Sequence, residues 1–278
     1  MKLLNVLAIF ILLVAIVACS SGENKSVKED NAVDEGVEEI ATQSELAIPS
    51  VVYLGEIFRK SGLQYINGIT LDPDRVSDFN TSLKRNLALG VYWSDLTYCV
   101  LNDQTQKSIE YIETTKRIAS EVGNDVFERD NLLSRLEANI DNSDSVRTIL
   151  SLIDEKTDEY IDETESERQA LIIFIGGWAE GLYLAAKSTN FDEANNITAR
   201  IVEQMNILED LIVSVESLQN EYKGLDKVSA SMKELSEYFN SLPEVSGSNT
   251  VQRNVDIPAS EMYVLGEKIV ALRERIIE

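Results

Sequence analysis

The sequence predicts an all-α fold, a pseudo-duplicated helical bundle of about eight helices preceded by a short N-terminal helix. Apolar side chains recur at three- and four-residue spacing, as in residues 197–212, which is the period of a packed amphipathic helix. Strand signals are missing, since no Asn-Gly turn is flanked by alternating β-branched runs. Proline, which helix interiors exclude, occurs only at segment boundaries. The prolines are Pro49, Pro73, Pro243 and Pro258.

Residues 1–18 are predicted to be a secretory signal peptide. Lys2 gives a short positive start, and residues 3–18 are apolar apart from Asn5. Small residues then lead into Cys19 instead of an ordinary small-residue junction. The segment resembles the signal of bacterial lipoproteins, in which the cysteine is acylated and becomes the new N-terminus. The resemblance implies that Cys19 is the lipidation site.

Two other interpretations of this segment were weighed. An uncleaved transmembrane anchor is disfavoured because about 16 apolar residues fall short of the ~20 that span a bilayer. A plain secretory signal with a chance cysteine is disfavoured because charge, length and terminal cysteine coincide. The expected partner is therefore membrane lipid, reached through palmitate-type acyl chains on Cys19, and several such chains make a stable anchor.

The composition excludes several classes of function. The chain has 25 basic and 48 acidic residues, a net charge of −23, and loss of Lys2 with the signal makes it −24. So acidic a chain repels nucleic acid, and no nucleic-acid partner is expected. Histidine is absent, which removes the usual proton shuttle and the commonest metal ligand. No cofactor, metal or catalytic residue is predicted, and Cys99 in its apolar surroundings is expected to be an inert buried thiol.

After the signal, residues 19–47 are predicted to be a lipidated, disordered tether, because they have too few apolar residues to offset the entropy of ordering. Residues 48–278 are predicted to form a single helical domain. Its helix starts are indicated by Asp72-Pro73 and by capping boxes at 164–167 and 190–193, and one helix end by Gly123. The predicted helices cover about 50–60, 72–101, 104–122, 125–139, 141–161, 164–188, 190–220, 224–242 and 258–277.

Two of these helices, 86–101 and 170–186, are apolar almost all round, so both should lie at the centre of the body. The second is too short and too polar at Glu180 to favour a membrane span. Both contain the pattern Trp-x-acid-x-x-Tyr, which indicates an internal duplication with halves of about 74–163 and 167–277. The paired residues are Trp93, Asp95 and Tyr98 in one half and Trp178, Glu180 and Tyr183 in the other.

In each pattern the acid and the tyrosine share one helix face, and a carboxylate there must find a hydrogen-bond partner. The expected partner is a tyrosine hydroxyl. Glycines at Gly90 and at 176–177 indicate close helix approach or room for a ligand. Three interpretations stay open, in order of preference: a core lock between the halves, a small pocket with Asp95 and Glu180 as its polar groups, and a catalytic carboxylate pair.

Most of the chain after residue 48 is similar to a family of predicted lipoproteins from Bacteroidetes-type Gram-negative bacteria. The motifs that carry the similarity are Pro49-Ser50, Ser61-Gly62-Leu63-Gln64-Tyr65, Leu87-Ala88-Leu89-Gly90-Val91-Tyr92-x-x-Asp95-Leu96-x-Tyr98, Lys116-x-x-Ala119-x-x-x-Gly123 and Gly177-Trp178-x-Glu180-Gly181-Leu182-Tyr183. The resemblance implies an envelope address and a helical fold, and makes Asp95 and Glu180 part of the family's pattern. It implies no activity.

The sequence thus predicts a lipoprotein anchored in the cell envelope, in the outer membrane on its periplasmic or surface face. Its expected role is non-enzymatic binding or scaffolding. The alternative is a small-ligand binder or enzyme that uses Asp95 and Glu180 between the two halves. A third interpretation, a subunit held by an envelope protein partner, would require a contiguous exposed apolar patch.

Overall fold

The computed structural model describes residues 50–164, 166–193, 196–246 and 255–278. The predicted signal peptide, Cys19 and the tether lie outside the described residues. Within those ranges the regular structure is helical and no strand occurs, which confirms the all-α fold class.

The helices follow one another with short connections. They are α1 (Val51–Lys60), α2 (Ser82–Leu101), α3 (Thr105–Glu121), α4 (Leu132–Ala138), α5 (Ser143–Thr164), α6 (Glu167–Lys187), α7 (Asn196–Met205), α8 (Leu208–Ser217), α9 (Leu225–Ser241), α10 (Pro243–Ser246) and α11 (Ala259–Ile277). Two 3₁₀ turns, Pro73–Asp78 and Arg129–Asn131, precede α2 and α4.

Helices α2 and α6 form the centre of the body and pack backbone against backbone. A Cβ placed at Gly90 would lie 1.8 Å from the Ile173 carbonyl oxygen, and one at Gly176 would lie 2.0 Å from that of Leu87. Only glycine permits this approach. The residue numbers of the facing pairs increase in the same direction along both helices, so the two helices run parallel. The facing pairs are Leu87 with Gly176, Gly90 with Gly177, and Ser94 with Gly181.

The other helices surround this pair. Helix α1 lies across both, since Gly55 faces Thr97 of α2 while Val51 faces Gly177 of α6. Helices α3, α4 and α5 continue outward from α2. Helix α11 packs on α6, and α9 and α8 follow behind it. The parallel central pair therefore carries a different set of helices on each side.

Several predicted boundaries are wrong. The helix predicted from residue 72 begins at Ser82, because the turn after Asp72 is a 3₁₀ turn that ends in extended backbone at Phe79. The hydroxyl of Thr81 then caps α2 by accepting from the Lys84 amide at 3.2 Å. The helix predicted over 125–139 covers only α4, because Asp130 and Asn131 have left-handed backbone angles.

Two further predictions of helix starts and lengths are also corrected. Thr164 does not open α6, since it ends α5 and its hydroxyl donates to the Tyr160 carbonyl at 2.6 Å. The helix predicted over 190–220 is divided into α7 and α8, with a turn at residues 206–207. The side-chain amide of Asn206 donates to the Glu203 carbonyl at 3.1 Å, so a carbonyl in the last turn of α7 is satisfied locally.

Helix α6 is long and apolar enough to cross a membrane by length and composition. However, 83% of its most apolar window is buried inside the body, as in the core helix of a soluble protein. The packing on α2, α1 and α11 accounts for its apolar surface.

Candidate functional site

The two acids of the repeated pattern meet at the interface of α2 and α6. Asp95 and Glu180 are both 0% exposed, and their carboxyl groups lie close enough for each to shift the pKa of the other. The parallel packing places equivalent residues of the two patterns opposite one another, as a duplication with a pseudo-twofold axis would. Two carboxyl groups in contact away from water cannot both remain ionised without a counter-charge.

The counter-charge comes from Arg273 of α11, which is 5% exposed. Its Nε donates to Glu180 Oε2 at 2.8 Å, and a terminal nitrogen donates to Oε1 at 3.3 Å. This is the two-pronged contact that a guanidinium makes with a carboxylate. The guanidinium also lies over the Tyr183 ring, 4.5 Å from its centroid. Arg273 thereby joins α11 to both the acid and the tyrosine of the α6 pattern.

Asp95 is held from the other side by the segment between α1 and α2. Its Oδ2 accepts from the Leu71 amide at 3.0 Å, and the Leu71 carbonyl accepts from the Tyr111 hydroxyl at 2.8 Å. Its Oδ1 has no donor among the described side chains and main-chain groups. That oxygen can therefore carry a proton and donate it to Glu180.

Burial and the adjacent Glu180 raise the pKa of Asp95 well above its ordinary value, which Arg273 opposes only in part. Burial also raises the pKa of Glu180, while the Arg273 guanidinium acts in the opposite direction. We therefore assign the proton to Asp95 and the negative charge to Glu180, which directly contacts the guanidinium. The three side chains carry no net charge, because one anion and one cation are balanced.

The tyrosine hydroxyls are not the partners of these acids, so that prediction is wrong. The Tyr98 hydroxyl donates to the Gln64 carbonyl at 3.0 Å and accepts from the Ile66 amide at 2.7 Å. Tyr183 contributes its ring to Arg273. Of the two tryptophans, Trp178 is fully buried, and Trp93 packs on Phe127 with ring centroids 5.0 Å apart.

This arrangement fastens the 62–72 segment and α11 to the central pair of helices. A substrate cannot reach Asp95 or Glu180 unless the body opens, because both are fully buried. The geometry thus agrees with the interpretation as a core lock. Sequence reasoning missed Arg273, although its position among Leu265, Ile269, Leu272 and Ile276 places it on the apolar face of α11.

A cavity of about 160 Å³ lies elsewhere, where α1 begins beside α2, α5 and α6. We call it the aromatic cavity. Its walls include four aromatic rings and several aliphatic side chains. The aromatic residues are Trp93, Phe127, Tyr160 and Phe174. Sequence reasoning did not find this cavity, since its residues come from five separate parts of the chain.

One carboxylate, Asp154 of α5, lies in the aromatic cavity. Its Oδ2 accepts from the Ser50 hydroxyl at 2.7 Å. Burial, with Asp158 and Glu56 nearby, raises the pKa of Asp154 to about 6 although the Ser50 hydrogen bond opposes this. No lysine or arginine among the described residues lies within ion-pair distance of it. A largely apolar cavity with a few polar side chains, one of them an acid with a raised pKa, is the usual form of a small-ligand site.

The described part of the chain offers little support for metal or thiol chemistry. No cluster of three or more Cys, Asp or Glu side chains there could hold a metal ion. Cys99 is fully buried, and burial raises the pKa of its thiol. A thiol in that state is a poor nucleophile.

Comparison with protein-family models, with curated proteins and with solved structures finds no match to this chain.

Proposed function

We propose that this protein is a non-enzymatic binding protein of the bacterial cell envelope, anchored by lipid on Cys19, and that its binding site is the aromatic cavity. The observation that supports binding most strongly is the cavity itself. It has about 160 Å³ of space, and a cavity of ~150 Å³ in a protein core is large enough to take up benzene. Aromatic walls and the partly buried carboxylate of Asp154 give it both shape and polarity.

A binding role suits the remaining chemistry of the chain better than catalysis. The acids of the repeated pattern, Asp95 and Glu180, are closed off with Arg273 inside the core. The sequence has no histidine, and Cys99 is buried. Asp154 is a partly buried acid that faces a cavity, and its closest polar contact is the Ser50 hydroxyl, which is not a base at neutral pH.

A protein-docking role has less support. The exposed large apolar side chains are distributed over α1, the 62–72 segment, α8 and α11. They are Tyr53, Ile66, Val213, Tyr263 and Val264. Single exposed apolar residues are normal on a protein surface, and they single out no face for a partner.

Binding is tested by filling the cavity. The full lipidated chain, held in lipid nanodiscs, is titrated by calorimetry with choline and with its neutral analogue 3,3-dimethyl-1-butanol. At least one probe should bind, and Ala170→Leu, which adds bulk to the cavity wall, should abolish that binding. Ala271→Leu on the exposed side of α11 is the matched control and should bind normally. Absence of binding by both probes, or binding unaffected by Ala170→Leu, would refute the proposed site.

The anchor is tested by labelling cells with an alkyne analogue of palmitate. The wild-type chain should take up the label, and Cys19→Ala should not. Cys99→Ala is the matched control, because Cys99 is the other cysteine of the sequence and should not affect labelling. Label on the Cys19→Ala chain would contradict lipidation at this residue.

A further inference from the structure

We propose that the ligand of the aromatic cavity is a small organic cation, an ammonium group with an apolar body. This inference rests on the proposed function, since it names the charge of the ligand that the cavity binds. The contacts of Asp154, the charges around it and the character of the walls support it independently.

The first support is that Asp154 lacks a cationic partner. Its closest polar contact is the neutral hydroxyl of Ser50, at 2.7 Å. Elsewhere in the body the buried acid Glu180 is matched by Arg273. A carboxylate that is partly removed from water without a counter-charge, as Asp154 is, is unfavourable for folding. A cation in the cavity would supply the charge that the protein itself does not.

The second support is the sign of the charges around the cavity. Asp158 lies one helical turn after Asp154 on α5, lines the cavity and is exposed at its rim. Basic groups on the neighbouring segments are already paired. Lys60 contacts Glu56 at 2.5 Å, Lys156 of α5 contacts Glu159 at 2.5 Å, and Arg129 contacts Asp125 and Glu163. The field inside an apolar cavity with these neighbours attracts cations and repels anions.

The third support is the character of the walls. Trp93 and Phe127 pack at a tilt of 56°, and Phe174 lies on the α6 side of the same cavity. Tyr160 is less available, because Arg129 already lies 5.2 Å from its ring centroid. Aromatic faces attract alkylammonium groups, and tryptophan does so most strongly. With one carboxylate inside and about 160 Å³ of space, the cavity fits a single ammonium head of benzene size.

The test compares three probes of similar shape and different charge. They are choline, its neutral analogue 3,3-dimethyl-1-butanol and the anion 3,3-dimethylbutanoate. For the full chain in nanodiscs, choline should bind about 10-fold or more tightly than the neutral probe, as a buried charge pair with cation–π contact permits. The anion should not bind measurably.

Asp154→Asn should remove the preference for choline and leave the affinity for the neutral probe, which also shows that the variant is folded. Asp210→Asn is the matched control, because it removes one negative charge at an exposed position of α8, far from the cavity residues in sequence. This variant should still bind choline more tightly than the neutral probe. Equal binding of choline and the neutral probe to the wild-type chain would overturn the cation assignment while leaving cavity binding intact. Absence of binding by both would overturn the proposed function as well.

Discussion

Removal of the Arg273 guanidinium should destabilise the body strongly. In Arg273→Met the side-chain stem is retained, but Glu180 is left fully buried without its cation. Breaking a buried ion pair by removing one partner typically costs about 3–5 kcal/mol, because the remaining charge is uncompensated. We expect a loss in that range in the free energy of unfolding, measured by urea denaturation with circular dichroism.

A double-mutant cycle separates this charge effect from lost packing. Glu180→Gln in the Arg273→Met background removes the stranded charge, so the double variant should be more stable than Arg273→Met alone. A coupling free energy of about 2–3 kcal/mol would fit the buried geometry. A coupling of less than about 1 kcal/mol, the size of a surface ion pair, would refute the interpretation of this contact as a core lock.

The same variant has a characteristic pH dependence. Without Arg273, the pKa of Glu180 in the folded state should rise further, since the guanidinium no longer opposes the effect of burial. A carboxyl group with a raised folded pKa is destabilising once pH exceeds its unfolded value, here 4.5. The stability deficit of Arg273→Met should therefore shrink as pH falls toward that value. A deficit that is constant with pH would indicate lost packing instead.

Three further predictions concern other parts of the body. Gly90→Ala should lower the free energy of unfolding by about 3 kcal/mol or more, because the new Cβ would lie 1.8 Å from a backbone oxygen. Gly266→Ala is the matched control. Its new Cβ would lie 3.3 Å from the Phe191 ring, so the free energy of unfolding should change little. Asp154→Asn should stabilise the protein above pH 6 by up to about 3 kcal/mol, because burial raises the pKa of Asp154 from 3.8 to about 6, and the gain should vanish as pH falls below 3.8. Cys99 should react with maleimide only after denaturation, since it is fully buried.

Local signals in the sequence were sufficient for much of the fold. Ser50 does cap α1, its hydroxyl accepting from the Tyr53 amide at 3.1 Å. Gly224 and Pro258 stand directly before α9 and α11, as predicted. The all-round apolar character of α2 and α6 correctly indicated a central pair, because a helix without a polar face must be covered on every side.

Other features depend on contacts between distant parts of the chain. The signal at Asp72 is real, since its side chain accepts from the Asp74 amide, but the turn that it starts is 3₁₀. Arg273 meets Glu180 across 93 positions of sequence, and the pattern around either residue does not specify the other. The aromatic cavity depends on such pairings as well, because Trp93, Asp154 and Phe174 converge only when the helices pack.

A cation bound in the aromatic cavity would lower the pKa of the Asp154 carboxyl group. An isotope-edited NMR titration of that group, with and without saturating choline, measures this change. We expect a pKa of about 6 in the free protein and a lower value when choline is bound, because a cation favours the ionised form. An ordinary pKa near 3.8 that choline does not change would show that the aromatic cavity does not bind a cation.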